Sequence, residues 1–230
     1  MKYVKMLAAA MGCGACVPTC LAINELADPS FELPVPIQLS SSVPTNLLLS
    51  HGQWGSQNGV KVGGFFGGQT DGIVPFDGVV MDRMVSTGDV SGITRTYQAL
   101  DLTPYHSLID SGQATIEGSE RFNAPFAGAV AIMSIEYFDG SGFYDAGHQT
   151  GLPSMGSLGL DSDLANWDIL TVGASVPVNT RWVLFSVGFQ NASLGSGAGY
   201  ADFNNVSIGP TPGTAGLLGL GALVGLRRRR

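Results

Sequence analysis

From residue 23 onward, apolar and polar positions alternate with a period of two. Across 181–189, Val183, Phe185, Val187 and Phe189 share one face. Across 129–138, Ala131, Met133, Ile135 and Tyr137 share another, with Ser134 and Glu136 opposite. Further strands are expected at 46–50, 60–66, 79–84, 93–100, 113–122, 169–172 and 200–208. Turn-rich spacers separate them, notably Gly63-Gly64-Phe65-Phe66-Gly67-Gly68 and Asp139-Gly140-Ser141-Gly142. No stretch longer than about ten residues keeps apolar positions at three-and-four spacing, so no helix is expected between 23 and 209. The pattern predicts an all-β chain with a single antiparallel β-sandwich over 23–209, without internal repeat or second domain. Leu194-Gly195-Ser196-Gly197-Ala198-Gly199 leads into a β-type segment, so it reads as a hairpin loop and not as a dinucleotide-binding fingerprint.

The two ends break this pattern. Lys2 and Lys5 precede an apolar stretch at 6–11, and Thr19-Cys20-Leu21-Ala22 supplies small residues for cleavage after Ala22. That is the layout of a secretory signal peptide over 1–22. Cys13, Cys16 and Cys20 all fall inside it, so the expected mature chain has no thiol and no disulfide. A lipoprotein site is disfavoured because neither Cys13 nor Cys20 has Leu three residues before it. At the other end, Pro210-Thr211-Pro212-Gly213 precedes an apolar run at 215–226 and then Arg227, Arg228, Arg229 and Arg230. Twelve apolar residues are short of the ~20 that a bilayer-crossing helix needs, although a snorkelling arginine cluster extends their reach. The order of proline motif, apolar span and terminal arginines, 210–230, resembles the PEP-CTERM sorting signal, with Thr211 where Glu is commonest. The resemblance implies export through the Sec machinery, retention in the membrane through a short apolar C-terminal helix, processing by an exosortase, and a place in the cell envelope or extracellular matrix.

Removing both ends changes the charge. Lys61, Arg83, Arg95, Arg121 and Arg181 are the five basic residues left between 23 and 209, against all eighteen acidic ones, a net charge of −13. Such a surface repels phosphate backbones and excludes nucleic acid as a partner.

Short motifs frame the middle of the chain. Asp28-Pro29-Ser30-Phe31-Glu32 opens it, and Gly199-Tyr200-Ala201-Asp202-Phe203-Asn204-Asn205-Val206-Ser207-Ile208 closes it. Trp54, Phe76-Asp77-Gly78 and Glu136-Tyr137-Phe138-Asp139 lie between. Together they resemble the galactose-binding-like jelly roll of many carbohydrate-binding modules, with Asp28 where Asn is usual and Phe203 inserted after the closing Asp. The resemblance implies a structural calcium ion shared by Glu32 and Asp202, with Asp28 as a third ligand, and an extracellular polysaccharide as partner.

Catalytic constellations are scarce. The chain has no Gly-x-Ser-x-Gly elbow and no phosphate-binding Gly-x-x-x-x-Gly-Lys loop. His51, His106 and His148 are far apart and sit in turn-like contexts. Asp161-x-Asp163 and the acidic loop at 139–145 lack the spacing of an EF-hand. Among the aromatic residues suited to stacking on a sugar ring, Trp54, Tyr97, Tyr105, Tyr144, Trp167 and Trp182, the tryptophans in β-type segments lean toward the core, whereas Tyr105, Phe143 and Tyr144 lie in turn-like stretches. The sequence thus points to an exported, non-catalytic surface or matrix protein that binds carbohydrate. A purely structural or adhesive protein without a sugar site, and a polysaccharide hydrolase or lyase, stay open as alternatives.

Overall fold

The computed structural model describes residues 23–32, 38–40, 54–57, 71–85, 93–140, 146–190 and 197–211. The expected strands at 46–50 and 60–66, the 1–22 signal, the apolar helix at 215–226, His51, Phe143 and Tyr144 lie outside them. In chain order the described strands are β1 Gln38–Ser40, β2 Trp54–Gln57, β3 Asp82–Met84, β4 Ile93–Asp101, β5 Ala114–Asn123, β6 Val130–Phe138, β7 Ser154–Gly159, β8 Asp168–Ser175, β9 Trp182–Gln190 and β10 Gly199–Pro210. They form a six-stranded sheet, β1-β2-β4-β9-β6-β7, and a four-stranded sheet, β3-β10-β5-β8.

The period-two pattern explains how the sheets meet. Val183, Phe185, Val187 and Phe189 of β9, with Ala131, Met133, Ile135 and Tyr137 of β6, are buried in one cluster with Ile116 and Phe122 of β5 and Val206 of β10. Two inner faces therefore close on a shared core, as in a β-sandwich. Gly118 of β5 sits against this core, and a Cβ there would stand 2.8 Å from the Phe185 ring. Strand β9 is buried on its other face too, where Trp182 and Leu184 cluster with Tyr97, Ala99 and Phe138. The Phe138 and Trp182 rings stack at 4.2 Å.

Four expectations need correction. The pair β1–β2 is parallel, whereas every other described pairing is antiparallel. A short helix, α1 His106–Asp110, follows a 3₁₀ turn at Thr103–Tyr105. Asp101 Oδ1 starts it by accepting from the amide and hydroxyl of Thr103, at 2.9 and 2.7 Å. Strands β9 and β10 belong to different sheets, so the glycine-rich link between them is a crossover and not a hairpin. Finally, β3 begins at Asp82, three residues later than expected, because the amides of Val79 and Val80 bond the Glu32 carboxylate instead of a neighbouring strand. Among the described residues no helix is long and apolar enough to cross a membrane.

Strand β10 contains a β-bulge between Asp202 and Asn205 in its register with β5. Phe203 lies there at φ +62. The residue that looked like an insertion in the closing motif is the extra residue of that bulge. Pro210 pairs with Ala114 and ends the strand, and Thr211 donates its amide to the Gln113 carbonyl at 2.7 Å.

Candidate functional site

The opening and closing motifs meet, as the resemblance implied. Asn204 donates its amide (2.9 Å) and side-chain nitrogen (3.0 Å) to the Pro29 carbonyl, and Glu25 donates its amide to Val206. Phe31 packs on Trp54 with ring centroids 4.8 Å apart, and the Trp54 indole N–H donates to the Asp28 carbonyl. Asp28 holds a left-handed backbone, φ +52, the conformation in which Asn or Asp replaces Gly most readily.

Glu32 and Asp202 act on one loop, residues 71–80, and they do so through its amides. Asp202 Oδ2 accepts from the amides of Phe76 (2.7 Å) and Asp77 (3.1 Å). Glu32 Oε1 accepts from Val79 (2.6 Å) and Val80 (2.7 Å). Gly78 lies between these anchors at φ +65, and any Cβ there would run into the Glu32 carboxylate. Ser30 adds a bond from its hydroxyl to Asp77 Oδ2, 2.8 Å. Amide hydrogens directed at a carboxylate oxygen already supply the positive charge that a cation would bring. Among the described residues, no three His, Cys, Asp or Glu side chains are grouped to hold a metal. Asp202 Oδ1 is buried without a hydrogen-bond partner.

Behind this loop sits a buried acidic group that the sequence reading missed. Asp82 on β3, Asp202 on β10 and Glu120 on β5 are all buried on neighbouring strands. Burial, and then the negative charges of Asp202 and Asp82, hold the Glu120 carboxyl well above the usual carboxylate range. Burial likewise pushes Asp202 up to about 6, against the opposing pull of the Asp77 and Phe76 amides.

The same loop forms one wall of an open cleft. Gly72, Val74, Pro75 and Phe76 face Leu164, Ala165 and Trp167 across about 430 Å³. Trp167 is half-buried, and its indole N–H ties the walls together by donating to the Val74 carbonyl at 3.1 Å. The start of the loop is held by Tyr200, whose hydroxyl donates to Asp71 Oδ2 (2.7 Å) and accepts from Arg83 Nε (3.1 Å). Burial pushes the Tyr200 phenol upward, so it stays a donor. Beyond the rim, Phe76 and Phe203 meet at 5.9 Å, and the Arg121 guanidinium lies 3.7 Å above the Phe76 ring. Val74 (71% exposed), Phe76 (45%), Val79, Leu164, Ile169 and Phe203 make this the concentration of exposed apolar side chains nearest the loop.

The aromatic residues sort cleanly. Trp54 and Trp182 are buried, as expected of core residues, and so is Tyr97, a candidate platform. Trp167, which also leaned toward the core, is the one that reaches the cleft. Phe76 and Phe203 were not singled out as rings for stacking, although Phe76 precedes Asp77-Gly78, the kind of turn-like context that marked Phe143. Tyr105 is half-buried and donates its hydroxyl to Glu25. His148 Nδ1 sits 3.0 Å from Asp139 Oδ1, and His106 opens α1.

No protein-family model matches the chain, and no curated protein does. Similar solved structures include a family 61 carbohydrate-binding module in complex with β-1,4-galactotriose (10% identity, TM-score 0.44, 80% of this chain and 98% of that one). A second is the C-terminal family 22 carbohydrate-binding module of Clostridium thermocellum Xyn10B (13%, 0.43, 69% and 88%). A third is the apo form of a cyclase from Fischerella sp. (10%, 0.47, 82% and 96%).

Proposed function

We propose that this chain is an exported, envelope-sorted protein whose β-sandwich binds carbohydrate without acting on it. One observation carries the reading: the cleft between residues 72–76 and 164–167, apolar, open and braced by the Trp167–Val74 hydrogen bond. Its size falls in the range of about 300–1,000 Å³ typical of small-ligand sites. The Trp167 indole and the Phe76 ring on prebuilt walls offer apolar surface to the apolar face of a pyranose. The Sec and exosortase steps rest on the two terminal segments of the sequence, and fractionation of a strain making the full chain tests them. A glycan array followed by titration tests the binding: the wild-type protein retains a defined glycan, and Trp167→Ala loses it. Retention by Trp167→Ala with wild-type affinity overturns the assignment of the cleft.

The structural calcium belongs to the same proposal, held at Asp202 with Glu32 and Asp28. The unpartnered Asp202 Oδ1 supports it. Backbone carbonyls of the 71–80 loop would complete the shell, since the ion takes six to eight oxygens.

A structural or adhesive role has its own support. Strand β7 is the edge of the six-stranded sheet, carries no charge and no proline, and exposes Met155. Uncharged edge strands are templates for pairing with another chain. Concentration-dependent self-association that Met155→Lys abolishes would favour this role over sugar binding.

A further inference from the structure

We propose that the cleft takes a saccharide bearing a carboxylate, a uronic acid, and that Arg121 is the residue that binds the acid group. The inference rests on reading the cleft as a sugar site and adds the charge of its ligand. Arg121 lies on β5, in register with Ile169 of β8 on one side and Asp202 of β10 on the other. Its guanidinium is stacked on Phe76, the aromatic residue of the cleft wall. Stacking occupies the flat face of the group and leaves its edge of N–H donors, the edge whose spacing matches the two oxygens of a carboxylate.

That edge has no partner among the described residues. Arg181 is paired with Asp110, at 2.8 and 3.0 Å, and Arg83 bonds the Tyr200 hydroxyl. The two ion pairs among the described residues are Arg181–Asp110 and His148–Asp139, and neither involves Arg121. Arg95 also has no ion pair among the described residues, but it lies on β4 of the other sheet. The net charge of −13 over 23–209 opposes an anionic ligand at long range, so Arg121 has to supply the attraction locally. The acids around the cleft bond other groups: Asp71 is held by Tyr200, Asp77 by Ser30, and Asp161 by the Asp163 amide and the Asn166 side chain, while Asp202 is held through Oδ2 by two amides and keeps its Oδ1 buried and unbonded. The guanidinium is thus oriented by a ring, beside an apolar cleft, with its donors unspent. A neutral sugar would use one or two of them singly, whereas a carboxylate uses the fork.

Titration calorimetry with matched trisaccharides decides it: galacturonate against galactose, glucuronate against glucose, and mannuronate against mannose, with a sulfated galactose trisaccharide as a fourth arm. The wild-type protein should bind one uronate at least about tenfold more tightly than its neutral partner, as expected for a hydrogen bond to a charged group. Arg121→Gln should erase that preference, and Arg121→Lys should restore only part of it, because an ammonium lacks the fork. Melting curves confirm that the variants fold, and the comparison within the wild type needs no variant. Equal affinity for acid and neutral sugars, a preference unchanged in Arg121→Gln, or binding of the sulfated sugar alone overturns the proposal. If Trp167→Ala still weakens binding in those cases, the cleft remains a sugar site of another specificity. If no sugar binds the wild type, both readings fall.

Discussion

The two sheets bury different kinds of polar group: hydroxyls and amides in the six-stranded one, where Thr94 and Thr96 stay unpaired, and a group of acids in the four-stranded one. In the six-stranded sheet, Ser134 and Ser186 share a hydrogen bond of 2.7 Å between their hydroxyls. Gln98 exchanges two bonds of 2.9 Å with the backbone of Ala27. In the four-stranded sheet, Asp82, Glu120 and Asp202 are buried beside one another, and both Glu120 oxygens lack a partner. Like charges in a dry site cost stability unless protons or a cation neutralise them. The cleft and its loop are mounted on that costly sheet. A sequence breaks its own folding rules where something other than stability is being served, and here the break coincides with the candidate site.

The sharpest way to test this contrast is to cut into the shared core. Phe185 is fully buried and faces Gly118 across the sandwich. Phe185→Ala should lower the unfolding free energy by about 3–5 kcal/mol. Ile169→Ala, on the exposed face of the four-stranded sheet, should stay within about 0.5 kcal/mol. Urea denaturation measures both. Equal losses would mean that the packed interior does not lie between the sheets.

The buried acids predict the next largest effect, and its sign is unusual. Asp202 titrates at about 6 in the fold against 3.8 ordinarily, so the folded state binds its proton more tightly than the unfolded one. Its contribution is complete below pH 3.8 and is lost as pH rises toward 6, ~3 kcal/mol over the window. Glu120 shifts in the same direction and extends the loss to higher pH. Asp110 and Asp161 are held below the usual carboxylate value, Asp110 by Arg181 and Asp161 chiefly by the Asp163 amide, so they titrate below this window. In chelator, the urea midpoint should therefore be higher at pH 4.5 than at pH 7.5. Asp202→Asn and Glu120→Gln should each flatten the difference. A midpoint that climbs with pH would show that the three acids do not share a dry environment.

Calcium sharpens the same point. An ion at Asp202 would replace the proton at neutral pH, and a site filled at a hundred times its dissociation constant stabilises by ~2.7 kcal/mol. Calcium should raise the melting temperature at pH 7.5 by several degrees, and Asp202→Asn should remove the response. An unchanged melting curve would leave the amides of Phe76 and Asp77 as the only ligands of that carboxylate.

How far the sequence could be read follows the same division. Strands β4, β5, β6, β8, β9 and β10 were legible because their apolar residues alternate against a solid core. Strand β7, Ser-Met-Gly-Ser-Leu-Gly, was not, since glycines replace the side chains that would show a period. Strand β2 was missed because four residues are too few to display one. Glu32 and Asp202 were found, and the structure brings both to residues 76–80, where amides meet them. Glu120 was missed although period two places it with Ala114, Ile116 and Phe122 on the inner face of β5 and Glu117 on the outer one, because apolar alternation identifies a strand without asking which acid shares its inner face. The cleft was hidden, because its walls are some ninety residues apart in sequence and neither wall carries a periodic signal.

The smallest effect isolates what pairing itself is worth. Ser134 and Ser186 face each other in register on β6 and β9, both buried, with each hydroxyl the other's partner. Ser134→Ala leaves the Ser186 hydroxyl dry and unsatisfied, and should cost ~1 kcal/mol. Ser186→Ala should cost about the same for the mirror reason. Removing both takes away the bond and the stranded group together, so the double variant should lose less than the sum of the singles, a coupling of ~0.5 kcal/mol or more. A double-mutant cycle in urea reads this directly. The same cycle on Glu120→Gln and Asp202→Asn should give coupling through relief of repulsion, with each single change already gaining at pH 7.5 most of what the double change gains. Strict additivity at the serines would mean that water reaches the outer side of β6 and β9, and the contrast between a bonded pair of buried hydroxyls and a group of crowded acids would lose its first half.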